Sequence, residues 1–365
     1  LTPTGFLGGD GVFVASKGKC SLILDSDGDG QADQERVIAD GWKTLDHTVD
    51  ALGVAVDPSD GSVYFGRGTS NYTNAYDIDD QGQSKFQIDD ERGTILRVSP
   101  DFETREIVAT GIRFPVGLRF NRDGQLFCTD QEGATWLPNG NPFDELLHIQ
   151  SGRHYGFPPR HPRYLPNVID EPSTYDYEPQ HQSTCGFCFN EPVGPQGQVF
   201  GPAAWQGDAF VAGYSRGKLY RTQVAKTTAG YVARNHLFAC LSMLPADCCI
   251  TPSGGLLVCC HSGGPDWGSG PAGHGQLFKI EYSQPDQPQP SLVWAASPRE
   301  IRIELDRPID AELLRGVMAQ TQISAGPFVR AGDRFESLWP GYAVVQAQQR
   351  ATRREIRVYS VQLTP

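Results

Sequence analysis

An Asp-His pair stands directly before an apolar, strand-like run in "LDHTVDALGV", residues Leu45 to Val54. An imidazole beside a carboxylate suits a general base near neutral pH, because its charge changes there and the neighbouring carboxylate favours the protonated form. His47, with Asp46, is therefore the first candidate for proton transfer. His181 in "PQHQSTCG" and His261 after "LLVCC" flank comparable apolar runs. Brought together, His47, His181 and His261 with Gln182 or Asp46 would form a ligand set for a divalent transition metal. Such an ion can acidify a proton beside a carboxylate.

A different chemistry is written in "DSDGDGQAD". Asp25, Asp27, Asp29 and Asp33 recur at the spacing of a calcium loop, with Gly30 where the chain must turn. Position twelve is Arg36 rather than Glu, so the loop is expected to bind calcium in the manner of short extracellular repeats and to be structural. Two long polar insertions carry sugar-binding types of residue. Tyr72, Asn74 and Tyr76 lie in "RGTSNYTNAYDIDDQGQSKFQIDDERG", and Asp266 and Trp267 in "HSGGPDWGSGPAGHG". Long loops of this kind shape binding clefts. His154 in "GRHYGFP" is a further candidate for contact with substrate, while His148 reads as structural.

The elements that must position these residues repeat. "ALGVAVDPSDGSVYFGRG", "PVGLRFNRDGQLFCTDQEG" and "PADCCITPSGGLLVCCHSGG" each hold an apolar run, a DG- or GG-type turn and a second apolar run. This is a strong hairpin signal. Looser copies stand at "GFLGGDGVFVASKGKCSLILDSDGDG" and "FGPAAWQGDAFVAGYSRGKLYRTQV", and third strands follow in "GTILRVSP", "ELLHIQSG", "GKLYRTQV" and "GQLFKIEY". Imperfect copies of one sheet unit predict an all-β fold, a β-propeller whose blades bury their faces against one another. About five blades fit in residues 1–285, and a six-bladed ring would take one more from upstream. Residues 286–292 read as a Pro/Gln-rich linker, and 293–365 as a small β-sandwich-like domain with one short helix and its last strand missing.

Composition narrows the function. The 365 residues carry a net charge of −12, which argues against nucleic acid and anionic membranes as partners. No apolar run is long enough to span a membrane. The nine cysteines include a lone CxxC, Cys185 and Cys188, for which zinc lacks a second ligand pair. Free thiols and disulfides both stay open. The abrupt start at Leu1 and the end at "SVQLTP" read as cuts through a longer protein with further domains.

The blade sequences resemble the glucose/sorbosone dehydrogenase superfamily of sugar-oxidising quinoproteins. They look closest to a branch of exported planctomycete and verrucomicrobial proteins labelled membrane-bound dehydrogenases. "DHTVDALGVAVDPSDGSVYFGRG", "TGIRFPVGLRFNRDGQLFCTDQEG", "NPFDELLHIQSGRHYGFP", "SRGKLYR" and "GQLFKIEY" carry the resemblance, in the family's order. It implies a periplasmic or extracellular sugar or polyol oxidoreductase. His47 would be the base that takes the hydroxyl proton, and Arg113 would polarise pyrroloquinoline quinone (PQQ), with Arg216 among the cofactor's contacts. This chain departs from the family at the quinone's counterions. Ser215 stands where a lysine is expected, Leu244 and Ala246 where arginines are, and Phe114 where a polar residue follows the arginine. The set His47, His181 and His261 with Gln182 resembles that of some propeller-fold polysaccharide lyases, which implies a divalent-metal-dependent lyase acting beside a uronate carboxylate as the alternative enzyme. A non-catalytic glycan-binding propeller is the reading from outside enzymology.

Overall fold

The computed structural model describes residues 2–3, 10–42, 50–69, 80–81, 91–132, 143–157, 169–178, 182–262, 271, 273–283, 287–326 and 350–363. Three hairpin turns explain how the repeated blade sequence folds. At the head of each turn a side-chain oxygen ties down the loop. Asp57 accepts from the Ser59 N–H (2.8 Å), Asn121 from the Gln125 N–H (2.9 Å), and Thr251 from the Gly255 N–H (2.8 Å). Gly61, Gly124 and Gly254 then take φ of +81°, +70° and +78°, a region closed to most side chains. The DG and GG pairs read from the sequence are thus the left-handed corners of the hairpins.

Five antiparallel blades follow one another. The first comprises β1 (Thr2–Pro3), β2 (Asp10–Ser16), β3 (Lys19–Asp25) and β4 (Gln34–Ala39). The second comprises β5 (Ala51–Val56), β6 (Val63–Arg67), β7 (Thr94–Val98) and β8 (Arg105–Thr110). The third contains β9 (Pro115–Phe120), β10 (Leu126–Asp130), β11 (Asp144–His148) and, after the short β12 (Arg153–His154) and β13 (Ile169–Asp170), the outer β14 (Tyr175–Tyr177). β12 and β13 leave the third blade to add, in parallel, to the outer edge of the second. The fourth has β15 (Thr184–Phe189), β16 (Ala209–Gly213), β17 (Lys218–Thr227) and β18 (Gly230–Cys240). The fifth has β19 (Leu244–Ile250), β20 (Leu256–His261) and β21 (Gln276–Ile280).

Each pair of successive blades buries an apolar seam between them. Phe13 and Leu22 of the first pack with Val54 and Phe65 of the second. Ile95 meets Leu118 and Leu126 across the next seam, Phe127 meets Phe187, and Phe210 meets Ile250 and Val258. The inner strands β5, β9, β15 and β19 lie side by side, and glycine makes that approach possible. A Cβ on Gly53 would stand 2.7 Å from Leu118 Cδ1, and one on Gly117 2.8 Å from Phe187 Cδ1. Gly186 faces Asp247 in the same way. The corresponding residue of β19 is Ala246, with no further described blade beyond it.

Beyond the blades, β22 (Pro290–Ser297) pairs with β23 (Glu300–Leu305), and β24 (Ile323–Ala325) with β25 (Arg354–Ile356). Short helical turns at Ala311–Leu314 and Val317–Gln320 lie between them. The described residues of this segment form two-stranded sheets, with Val293, Ile301 and Ile303 exposed.

Candidate functional site

One end of the blade array collects the polar residues. Four bonds, three of them between blades, bring the loops there together. Thr69 N–H donates to the Arg113 carbonyl (2.9 Å), Gln131 N–H to the Phe114 carbonyl (3.4 Å), Ser183 N–H to the Asp144 carboxylate (2.6 Å), and Gln131 Nε2 to the Thr184 carbonyl (3.1 Å). The residues that precede inner strands, the ends of β6, β10 and β16, and the starts of β11 and β17 therefore share this end. In antiparallel blades each hairpin returns its second strand to the level where the first began.

Arg113, just before β9, is 5% exposed. Its Nη1 donates to the Gln131 carbonyl (2.5 Å), while the N–H groups of Arg113 and Phe114 donate to Asp130 at 2.9 and 2.6 Å. Asp130, at the end of β10, thus holds the turn that presents Arg113. Asp144, at the start of β11, accepts from the N–H groups of Glu132 (2.8 Å) and Ser183 (2.6 Å) and ties the third blade to the fourth. Burial pushes the Asp130 and Asp144 carboxyls each up to about 6, against the pull of those N–H groups and of the Arg113 charge. Glu132 is pushed well above the usual range by burial and by the charges of Asp130 and Glu145. Glu145 is raised by burial and by the charge of Asp130. Several carboxylates around one guanidinium cannot all ionise cheaply, so this end of the protein holds exchangeable protons near neutral pH.

The fourth blade supplies an amide and a second cation. Gln182 is wholly buried, and its Oε1 accepts from Tyr220 Oη (2.5 Å) and from the buried Lys218 Nζ (3.4 Å). Ser183 and Ser215 bond through their hydroxyls, and the Ser215 N–H reaches the Gln182 carbonyl (3.2 Å). His261, at the end of β20, stacks on Tyr214 and lies 2.8 Å from its hydroxyl through Nδ1. The Tyr214 N–H in turn donates to the Ser183 carbonyl (3.0 Å).

The structure thus gathers Arg113, Gln182 and His261 at one end. Asp46, His47, Tyr72, Asn74, Tyr76, His181, Asp266 and Trp267 lie outside the described residues, as does the side chain of Arg216. Asp50, three residues after His47, belongs to this end. It accepts the Gly18 N–H (2.7 Å) and stands 3.5 Å from the fully buried Arg67. His154 is 1% exposed. Its Nδ1 lies 2.9 Å from Thr110 Oγ1, and its ring sits under Gly111, where a Cβ would come within 2.7 Å. The ring it offers is inside the second blade's edge, stapling β12 to β8.

The acidic loop sits elsewhere. It joins the end of β3 to β4, at the opposite end of its blade from Gly18 and Asp50. Asp25 accepts from the N–H groups of Gly28 (2.8 Å), Asp29 (3.2 Å) and Gly30 (2.8 Å). These bonds, chiefly that of Gly30, lower its pKa. Carboxylate oxygens of Asp25, Asp27 and Asp29 come within 4.8 Å of one another. Asp33 is turned to the N–H and hydroxyl of Ser26.

Asp130, Glu132, Asp144 and Glu145 carry no site role in the sequence reading, although "CTDQEG" and "FDELL" are among its quoted motifs. The available signal is an acidic or basic residue at the end of a strand whose other residues are apolar. Such a charge has no reason to be buried unless the fold gives it partners.

Comparisons with known proteins agree with the architecture. Residues 1–180 match a family described as "Domain of unknown function (DUF7133)". No curated protein matches the chain. Among solved structures, a glucose dehydrogenase is 17% identical, with 78% of this chain and 82% of that one covered and a TM-score of 0.53. The PQQ-bound aldose sugar dehydrogenase of Streptomyces coelicolor is 16% identical over 74% of each chain, with a TM-score of 0.51. At these identities the likeness establishes the fold: the chain has the β-propeller architecture of these dehydrogenases.

Proposed function

We propose that the chain is a carbohydrate-active enzyme of the sugar or polyol oxidoreductase type, exported, with its site at the end of the blades where the inner strands begin. The observation that supports this most is the buried group of Arg113, Asp130 and Asp144. It lies at the end from which β5 starts, a few residues after His47. In this reading His47 takes the proton of a sugar hydroxyl, and Asp46 favours the imidazolium that results. Arg113 provides fixed positive charge where negative charge develops, its direction set by the Gln131 carbonyl and the Asp130-bound turn. Tyr72, Asn74, Tyr76, Asp266 and Trp267 are proposed to bind the sugar, and the Asp25–Asp33 loop to hold a structural calcium ion.

Oxidation of a sugar also needs an electron acceptor, and PQQ fits the described residues poorly. It brings three carboxylates. The Ser215 hydroxyl is taken by Ser183, Leu244 is 1% exposed and carries no charge, and the charged groups around Arg113 are mostly acidic. Burying each carboxylate without a counterion costs several kcal/mol. The proposal therefore rests on sugar binding and on the proton chemistry of His47.

A second reading has a specific observation behind it. Gln182 and His261 are joined through Ser215 and Tyr214 at the same end, which supports a divalent-metal site completed by His47 and His181 and a lyase-type reaction. Dye reduction with a panel of aldoses and polyols, run with and without added PQQ and calcium, tests the first reading. Sugar-dependent reduction lost in His47→Ala supports it, and none in any arm removes it. One tightly bound transition ion per chain, lost in His181→Ala, would favour the second. Glycan binding without turnover on either substrate class would leave a binding propeller.

A further inference from the structure

The geometry points to an inter-blade disulfide between Cys188 and Cys248 as an oxidative modification site of this protein. Cys188 lies on β15 and Cys248 on β19, the neighbouring inner strands of the fourth and fifth blades, and their sulfurs are 3.7 Å apart. Both are in the apolar core between those blades, beside Phe200, Phe210 and Val258. Both strands are fixed by their own ladders, with Cys188 opposite Phe210 and Cys248 opposite Val258. Bond formation therefore asks for side-chain rotation rather than for strand movement. The apparent CxxC of the sequence is not the pair. The Cys185 sulfur is 3.2 Å from Gln131 Nε2, on the side of the third blade, so the two thiols of that motif face different neighbours.

The reaction is thiol–disulfide exchange with a small disulfide. Each Cys188 and Cys248 thiol loses one proton and one electron, a sulfur–sulfur bond forms between them, and one molecule of oxidised glutathione becomes two of the thiol. The hydrogen-bond contact with Cys188, together with burial, raises the Cys248 pKa well above the ordinary thiol value. Exchange is consequently slow in the folded protein, and a bond formed during folding in an oxidising compartment is sheltered from reductants afterwards. The bond would clamp the fourth blade to the fifth across a separation of 60 residues in sequence. This inference stands apart from the proposed activity, because it needs neither substrate nor cofactor.

The test is peptide mapping of the whole chain after warming with excess oxidised glutathione, with free thiols alkylated under denaturing conditions without reductant. The expected product is one linked pair of peptides containing Cys188 and Cys248, with a melting temperature that falls by roughly 5–10 °C on reduction, as the loop length and protein size imply. Cys188→Ala should abolish both signals, and Cys249→Ala, at an exposed thiol, should keep them. Full alkylation of both cysteines, glutathione adducts on either without a link, or a link such as Cys249–Cys259 in its place would overturn the inference. The wild-type map decides even where Cys188→Ala does not fold.

Discussion

Replacing Asp144 by Asn separates two effects that the buried carboxylate combines, and pH tells them apart. Asp144 accepts two backbone N–H groups, from Glu132 and Ser183, with both oxygens. An Asn keeps one acceptor and turns its NH₂ towards the other N–H, leaving a buried donor unmatched at a cost of about 1–3 kcal/mol. Against this stands the penalty for ionising the carboxyl. Its pKa rises from 3.8 to about 6 through burial, so the folded state holds more protons than the unfolded chain between these values. Wild-type stability must then fall as pH rises through that window, by about 3 kcal/mol for this group once it is complete. The Asp144→Asn variant, with no proton to lose at this position, escapes that fall. It should be the less stable form near pH 4.5, with the gap closing by about 2 kcal/mol by pH 7.5. Urea unfolding followed by tryptophan fluorescence across pH 4.5–7.5 measures it. A gap that stays constant or widens with pH would mean that the N–H groups and Arg113 keep Asp144 ionised, and the picture of a proton-holding site would be wrong.

Further expectations follow from named contacts. Asp50→Ala takes one carboxylate from the fully buried Arg67 guanidinium, which keeps Glu91 at 3.9 Å, and should destabilise by up to about 3–5 kcal/mol; a thermal melt within a degree or two of wild type would show that Glu91 carries the pairing. Gly117→Ala pushes a methyl against Phe187 and the Cys185 carbonyl and should destabilise by about 1–3 kcal/mol, read as a lower urea midpoint. Calcium at about 1 mM, the affinity range of extracellular modules, should raise the melting temperature of the wild type but not of Asp27→Asn/Asp29→Asn. Equal shifts in both would place the ion elsewhere.

The blade architecture was legible because its signals are local. An apolar run, a side-chain oxygen heading the turn and a glycine at its corner recur at Asp57–Gly61, Asn121–Gly124 and Thr251–Gly254, and each can be read without knowing the rest of the chain. The glycines at Gly53, Gly117 and Gly186 stand in plain view too, though their reason, the approach of the next inner strand, appears only in the packed structure. The site was legible in part. Arg113 precedes a strand and carries a family motif, whereas Asp130, Asp144 and Lys218 look like ordinary strand ends until neighbouring blades bury them. His154 shows the converse: a histidine in a specific motif whose ring proves to be a staple beneath Gly111. The pairing of Cys188 with Cys248 rather than with Cys185 depends on which blade each faces, which no spacing in the chain encodes.

The most direct measurement is sugar-dependent dye reduction by the purified chain, compared with His47→Ala and Arg113→Met, with folding of each variant checked by its melting curve. An oxidoreductase site at this end of the blades requires turnover of at least one aldose or polyol in the wild type. It also requires a loss of about a hundredfold or more in each folded variant, the usual effect of removing a positioned base or a fixed charge. Turnover that survives both substitutions, or none with any sugar in the presence of PQQ and calcium, would contradict it.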